Sequence, residues 1–346
     1  MPGRTILVFA QGRYSYNKVR KYFTKIDDGL LCLLCRNNCV LKEGEIGRCL
    51  VRRAIDDEIV FTDYGKLITI VADPIEKKPI YHFRPGTKLL SIGGYGCFLD
   101  CLYCQNFEIS QNRKDLKNTF FSPSAIVELA IKKKCSGICG SFNEPTTHYE
   151  YMMDLSEKCH KAGLFFALKT NGFLEHSPWS DICKVTDVMN IDYKGSSERF
   201  ASIAKVDKSA SSHVISNIVH AIEHCHVEVS IPIFFDSKES EFADFVSIFT
   251  QFFLKSSFPI HLIKIFPAHN YNYSAVDDDI IFRIRDFFMS VFPYVYVHNI
   301  FCERGRNSRS TYCHSCGKMI ASRSSFKTEL FLGDDCCKHC KEVFSI

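Results

Sequence analysis

Twelve of the eighteen cysteines in this 346-residue chain fall into three tight groups, and that grouping restricts the fold more than any other feature. The first group is Cys32, Cys35, Cys39 and Cys49. The second is Cys97, Cys101 and Cys104. The third is Cys313, Cys316, Cys336, Cys337 and Cys340. A chain of this length, 46% hydrophobic and 24% charged, can build a globular core without a disulfide framework. The apolar run from Thr5 to Ala10 is too short for the core of a secretion signal. No stretch approaches the roughly 18 apolar residues of a membrane-spanning helix. The expectation is a cytoplasmic protein with no membrane contact, in a reducing compartment where grouped cysteines read as metal ligands. Cys135, Cys139, Cys159, Cys183, Cys225 and Cys302 read as small buried hydrophobes, Cys302 with least weight because it lies close to the third group.

Net charge is only +4, which argues against a dedicated nucleic-acid coat and says little else. Residues 301–346 carry eight Lys/Arg against five Asp/Glu, so RNA contact there is conceivable but a solvated surface is the simpler reading. The pair Lys77-Lys78 and the run Lys132–Lys134 read as solvated faces.

Between residues 88 and 300, strand-like and helix-like segments alternate. Lys88–Gly93 reads as a strand. Ser122-Pro123 is a helix start, and Lys132–Lys134 suit that helix's C-terminal end. Gly137–Phe142 is strand-like, and Thr146–Ala162 has helical spacing with Gly163 as its stop. Strand-like runs recur at Leu164–Lys169, Asp187–Asp192, Val227–Phe235, Ile260–Phe266 and Tyr294–Val297. This alternation predicts an α/β fold: a complete or partial (β/α) barrel of parallel strands, with a doubly wound sheet as the alternative. The predicted organisation is a Cys-rich N-terminal metal-binding segment (1–85), a barrel core (86–300) and a C-terminal zinc-ribbon-like segment (301–346).

The second cysteine group is C-x3-C-x2-C, directly after a predicted strand, with Tyr103 before its last cysteine. Three thiolates at this spacing can hold three corners of a [4Fe–4S] cubane and leave one iron open. On spacing alone, a zinc knuckle with a distant fourth ligand or plain buried thiols stay open. The position is more telling, because barrel enzymes carry their chemistry at the C-terminal ends of strands. Gly93, Gly94 and Gly96 do not form a nucleotide fingerprint and read as room for close backbone approach.

The C-x3-C-x-aromatic-C pattern resembles the signature of the radical S-adenosylmethionine (SAM) superfamily. The segments Asp73–Phe83, Pro85-Gly86 and Ser91–Gly93, with Phe142–Thr146 and the flanking cysteine sets in the same order, are similar to the AmmeMemoRadiSam-system branch. That branch is related to the pyruvate formate-lyase activating enzyme, and the resemblance spans roughly residues 30 to 340. It implies an iron–sulfur oxidoreductase or activating-enzyme-like protein, with a [4Fe–4S] cluster on Cys97, Cys101 and Cys104 and SAM bound at the fourth iron. Reductive cleavage would then give a 5′-deoxyadenosyl radical that abstracts a hydrogen from the substrate. A flavodoxin- or ferredoxin-like one-electron donor is implied, with Memo-like and AMMECR-like partners.

The resemblance also implies cofactor-binding residues. Asn143 and Glu144, in Asn143-Glu144-Pro145-Thr146, match a motif that contacts the cofactor, Glu144 at its amino group, although N-E-P-T alone would pass as a helix-leading turn. Lys169 and Asn171, in Lys169-Thr170-Asn171-Gly172, face its carboxylate or ribose, or else form a strand-end turn on Gly172. Asp192 and Lys194 match an Asp–Lys pair, which a simple salt bridge explains nearly as well. Tyr103 completes the set.

Cys32, Cys35, Cys39 and Cys49 supply four thiolates for zinc or a second Fe–S cluster, with Gly44 and Gly47 for the tight turns. Cys313-x2-Cys316 and Cys337-x2-Cys340 read as a zinc ribbon, with Cys336 as a substitute ligand and Gly317 in the turn. That tail has too little apolar mass to fold without metal. After the sixth strand, Phe266-Pro267-Ala268-His269-Asn270-Tyr271 keeps the family's Phe-Pro start but runs on into Ser274–Asp279, which weakens the carry-over of substrate contacts; His269 reads as facing the substrate or as a surface-loop residue, the loop being preferred. Three functions follow: a radical SAM enzyme acting on a small molecule or modified nucleotide, an activating enzyme for a glycyl-radical partner, and, from another class, a non-catalytic metal-stabilised RNA-binding protein.

Overall fold

The computed structural model describes residues 17–18, 21–112, 118–252, 258–324, 327–333 and 336–342. The apolar run at Thr5–Ala10 lies outside them. Eight strands form the central sheet: β1 (Thr69–Pro74), β2 (Lys88–Gly93), β3 (Gly137–Gly140), β4 (Phe165–Thr170), β5 (Val188–Asp192), β6 (His226–Ile233), β7 (Ile260–Lys264) and β8 (Val295–His298). Their spatial order is their chain order. β1 pairs antiparallel with β2, and every later pair is parallel. Sequential order with a helix in each crossover is the winding of a (β/α) barrel. A doubly wound sheet would reverse direction midway. β1 and β8 are the two ends of the sheet, so the barrel is partial.

The strand expectations hold to within two residues at most ends. β1 was not expected: its run TIVADP ends in proline, and its exposure is mixed because it is an edge strand. The helix Pro123–Lys132 begins where the Ser-Pro pair predicts, with Ser122 Oγ accepting from Ala125 N at 3.2 Å. Such a cap contributes about 1 kcal/mol. The helix expected at Thr146–Ala162 starts as a 3-10 turn at Pro145–His148 and becomes α-helical over Tyr149–Lys161, with Gly163 at φ +71° beyond it.

Side chains alternate across the sheet. One face carries Leu90, Ile92, Ile138, Phe166, Leu168, Met189, Ile191, Val229, Ile231, Leu262 and Val297, all in the main apolar core. The other face lines the barrel. There Leu89, Cys139, Phe165, Ala167 and Val188 pack against Ile75 and Ile80 from the β1–β2 connection, which enters the barrel. Asn190 on β5 donates to Pro79 O at 2.5 Å, and Glu228 on β6 accepts from the Tyr81 and His82 amides at 2.7 Å each. The lining is thus apolar under β2–β5 and polar under β5–β8.

The C-terminal segment packs on the β8 edge. Tyr81, Tyr294 and Tyr296 share a buried cluster with Cys313, Ile320 and Cys337. Arg323 is buried there, donates to Tyr81 O at 2.8 Å and lies 4.1 Å over the Tyr81 ring. Among the described residues, no helix is long and apolar enough to cross a membrane.

Candidate active site

Cys97, Cys101 and Cys104 occupy the loop that leaves β2, at the C-terminal end of the parallel strands. Neighbours clamp this loop on several sides. Gly96 N donates to Ile109 O at 3.0 Å, Leu102 N to Ile203 O at 2.8 Å, and Gln111 Nε2 to Leu99 O at 2.5 Å. From the N-terminal segment, Asn37 Nδ2 donates to Phe98 O at 2.8 Å. From the β7–β8 connection, Asn270 N donates to Leu102 O at 2.9 Å, while His269 stacks on Phe107 at 3.7 Å. His269 is therefore half-buried against the cysteine loop rather than lying free on the surface.

Glycine is required at Gly96. Its φ is +87°, and a Cβ there would stand 2.1 Å from Cys49 O. The close approach expected at this glycine is real, and its partner is the backbone of the first cysteine group. A Cβ on Gly94 would likewise stand 2.3 Å from Cε1 of His148.

The three thiols are half-buried, and burial pushes Cys101 up to about 11 and Cys97 well above the ordinary thiol range. Such thiols become ligands only when a cation compensates the thiolate charge. Three thiolates with no fourth cysteine in the loop match a cubane with one open iron better than a structural zinc, which takes four protein ligands. Leu99 N and Asn171 Nδ2 point at Cys97 Sγ, at 3.5 and 3.6 Å, and hydrogen bonds to sulfur are a recognised means of tuning such clusters.

The other expected site residues gather at the same end of the sheet. Asn143 donates to Tyr95 O and Gly96 O at 2.9 Å each and accepts from Gly94 N at 3.2 Å, so it holds the cysteine loop's backbone. Glu144 is buried. Its Oε1 accepts from Thr146 N, Thr146 Oγ1 and Thr170 Oγ1, at 3.1, 2.6 and 2.8 Å, and its Oε2 from Asn171 N at 2.7 Å. This carboxylate ties the end of β3 to the end of β4. Burial raises its pKa despite those hydrogen bonds. Lys169 Nζ meets Asn190 Oδ1 at 2.5 Å and bonds Asp192. Lys194 Nζ meets Asp192 at 3.3 Å and Tyr103 OH at 3.1 Å. Burial opposes charge on Asp192, but the two ammonium groups outweigh it and hold the carboxyl below its usual range. Burial also opposes charge on Lys194, where Asp192 and Tyr103 prevail and raise it. A polar chain of Lys169, Asp192, Lys194 and Tyr103 thus runs beside the thiols. Asp192 and Lys169 keep 30% and 22% exposure, open enough to meet a ligand.

Sequence reasoning missed Glu228, His261 and His298 on the barrel lining. The signal was present as His226, Glu228 and Ser230 at alternate positions of β6, with His261 on β7 and His298 ending β8, inside runs read only as strand-like.

The flanking sets differ from each other. Cys313, Cys316, Cys337 and Cys340 bring all four sulfurs within 4.8 Å, with Sγ–Sγ distances of 3.5 Å (Cys313–Cys340) and 3.6 Å (Cys316–Cys337). Cys336 instead donates to Gly333 O at 2.9 Å and stays outside this group. Gly317, at φ +69°, closes the first knuckle. In the N-terminal set, Cys32 and Cys49 lie beside Arg52, fully buried, which pairs with Glu150 at 2.6 Å. Nε and Nη1 of Arg52 find no hydrogen-bond partner among the described residues.

A partial barrel with three loop thiols at its catalytic end defines a class: barrel enzymes whose chemistry belongs to a bound cluster. The radical SAM superfamily's sequence model matches residues 91–248. An uncharacterized protein of Methanocaldococcus jannaschii is 32% identical over 335 residues, covering 92% of this chain and 96% of its own length. This chain belongs to the radical SAM superfamily. The pyruvate formate-lyase 1-activating enzyme of Escherichia coli K12 is 28% identical over 122 residues, 32% of this chain and 46% of that enzyme. The crystal structure of Streptococcus suis SuiB bound to S-adenosylmethionine aligns with a TM-score of 0.50 at 12% identity, over 70% of this chain and 56% of SuiB. That likeness concerns the fold, and the chain spans little more than half of SuiB's length. Superfamily membership implies an enzyme with SAM and an Fe–S cluster.

Proposed function

We propose that Cys97, Cys101 and Cys104 hold a [4Fe–4S] cluster at which SAM is reductively cleaved to a 5′-deoxyadenosyl radical, which abstracts hydrogen from the substrate. The observation that carries this reading is the clamped three-thiol loop, with a hydrogen-bond donor aimed at Cys97 Sγ and a partly exposed Lys169–Asp192–Lys194 chain beside it. The protein's part is to position. Asn143 fixes the loop backbone, Glu144 joins two strand ends, and Lys169, Asn171, Asp192, Lys194 and Tyr103 offer polar contacts to the cofactor's amino acid and ribose.

The N-terminal quartet suits a zinc ion or a second cluster, and Arg52, two of whose guanidinium nitrogens lack a hydrogen-bond partner among the described residues, offers either a nearby charge beside Cys32 and Cys49. The C-terminal quartet suits a single zinc. The order of motifs supports membership of the AmmeMemoRadiSam branch, with a flavodoxin- or ferredoxin-like donor. The likeness to the pyruvate formate-lyase 1-activating enzyme favours, as a second reading, activation of a glycyl-radical partner.

The test is anaerobic reconstitution with iron and sulfide, then dithionite and SAM, with chromatography for 5′-deoxyadenosine. Formation by the wild type and loss in Cys101→Ala is the expected result. Zinc at this loop and no cleavage would favour the metal-stabilised binding protein.

A further inference from the structure

The polar half of the barrel lining holds a hydrogen-bonded line of three residues: Glu228 on β6, His261 on β7 and His298 at the end of β8. Glu228 and His261 side chains are fully buried, and Glu228 Oε2 meets His261 Nε2 at 2.6 Å. His261 Nδ1 meets His298 Nε2 at 2.9 Å. His298 is only half-buried and stands at the C-terminal end of its strand, the end that carries the cysteine loop.

Hydrogen-bond chemistry fixes the direction of this line. Glu228 Oε1 accepts the Tyr81 and His82 amides at 2.7 Å each, and His226 Nε2 approaches it at 3.2 Å. Despite burial, the imidazoles of His226 and His261 hold the Glu228 carboxyl well below the usual range, so it is ionised and can only accept. His261 therefore carries its proton on Nε2. A neutral imidazole has one N–H, so His261 Nδ1 is an acceptor, and His298 must donate to it from Nε2. That leaves His298 Nδ1 with its lone pair. Burial keeps both imidazoles neutral, His298 well below its ordinary range. Lys169, Arg309 and Arg323 add to this on His298, and Tyr81 packs edge-on or tilted against both rings, at 4.9 Å from His261 and 5.3 Å from His298.

We infer that His298 Nδ1 is the proton acceptor this barrel presents to its substrate, with His261 and Glu228 as positioning residues that set its tautomer. The inference rests on the proposed radical chemistry. The substrate class is one bearing an O–H or N–H beside the carbon that loses hydrogen, since a radical at carbon makes that neighbouring group more acidic. The O–H or N–H bond breaks, its electron pair stays on the substrate, and the proton bonds to Nδ1. The resulting imidazolium keeps its Nε2–H on His261, and the Glu228 carboxylate lies one ring further on to stabilise the charge.

Glu228→Gln gives a sharp test. Gln Oε would stay with the two amides and turn its NH2 toward His261, which would reverse both tautomers and place an N–H on His298 Nδ1. The experiment uses reconstituted enzyme with 15N-labelled histidine, the His298 signal being assigned by its loss in His298→Gln. The expected spectrum has Nδ1 unprotonated and Nε2 protonated at neutral pH, reversed in Glu228→Gln and retained in Glu228→Asp. Protonated Nδ1 in the wild type, or unchanged tautomers in Glu228→Gln, would overturn the inference. In a second arm, the small-molecule extract of the source cells is supplied, and extract-stimulated 5′-deoxyadenosine is followed against pH. Stimulation should persist through pH 6.5, because burial holds His298 well below the ordinary histidine range, should fall only at lower pH where the acceptor is protonated, and should drop at least tenfold in His298→Gln. Stimulation with an unchanged pH profile in that variant would also overturn it. Failure of the wild type to form any 5′-deoxyadenosine would defeat the proposed function itself, and the tautomer spectrum would still decide the geometry.

Discussion

The tightest constraint at the level of single residues is Gly96, where two cysteine groups meet backbone to backbone. Gly96→Ala would combine a positive φ, costing about 1–3 kcal/mol for a residue with a side chain, with a Cβ 2.1 Å from Cys49 O. We expect a lower unfolding midpoint and less iron retained after reconstitution, measured by thermal melts and iron assay. An unchanged midpoint and iron content would mean that the two groups are not locked at this point. The thiols themselves were legible because their spacing is local. The part played by Asn143 was not: read as a cofactor contact, its side chain instead spans three backbone groups of the cysteine loop. A contact between residues 47 or more positions apart leaves no periodic trace in a sequence.

Among the elements, the strands were legible because Gly, Pro and helical spacing punctuate them, while their polar inner faces were not. β6, HVEVSIPI, reads as a buried strand, yet His226, Glu228 and Ser230 all face inward. These interior imidazoles make stability depend on pH. His82, whose Nε2 lies 2.5 Å from Tyr296 OH, is lowered by burial to about 3. Its folded pKa lies below its unfolded value near 6.5, so the unfolded chain binds the extra proton. The stabilising contribution is present above pH 6.5 and is lost as pH falls toward 3. At pH 5 this group alone costs about 2 kcal/mol. Thermal melts from pH 7.5 to 5 should show a falling midpoint, with a shallower slope in His82→Gln. Equal slopes would mean that His82 does not titrate as its burial demands. The C-terminal knuckles belong to this scale too. Cys316→Ser with Cys340→Ser should remove one equivalent of metal by elemental analysis and expose residues 311–342 to protease, while the barrel stays folded. Retained metal would require other ligands.

Across the whole molecule, the cysteine groups mark out one working arrangement. The N-terminal set lies against the cysteine loop through Asn37 and Gly96. The C-terminal set lies against the last strand through Tyr294 and Tyr296 and the Tyr81 segment. Strand–helix alternation made the barrel readable in advance. That β1 would add an antiparallel edge, and that residues 75–83 would enter the barrel, was not readable, because both depend on tertiary packing rather than local pattern. The account's central claim is that the Cys97 loop leaves one iron open to SAM. Electron paramagnetic resonance of the dithionite-reduced, reconstituted protein tests it most directly, in wild type and Cys101→Ala, before and after SAM is added. The account predicts a reduced [4Fe–4S] signal in the wild type that changes on addition of SAM, and no such SAM-responsive signal in Cys101→Ala. A wild-type signal indifferent to SAM, or an identical SAM response in Cys101→Ala, would contradict it.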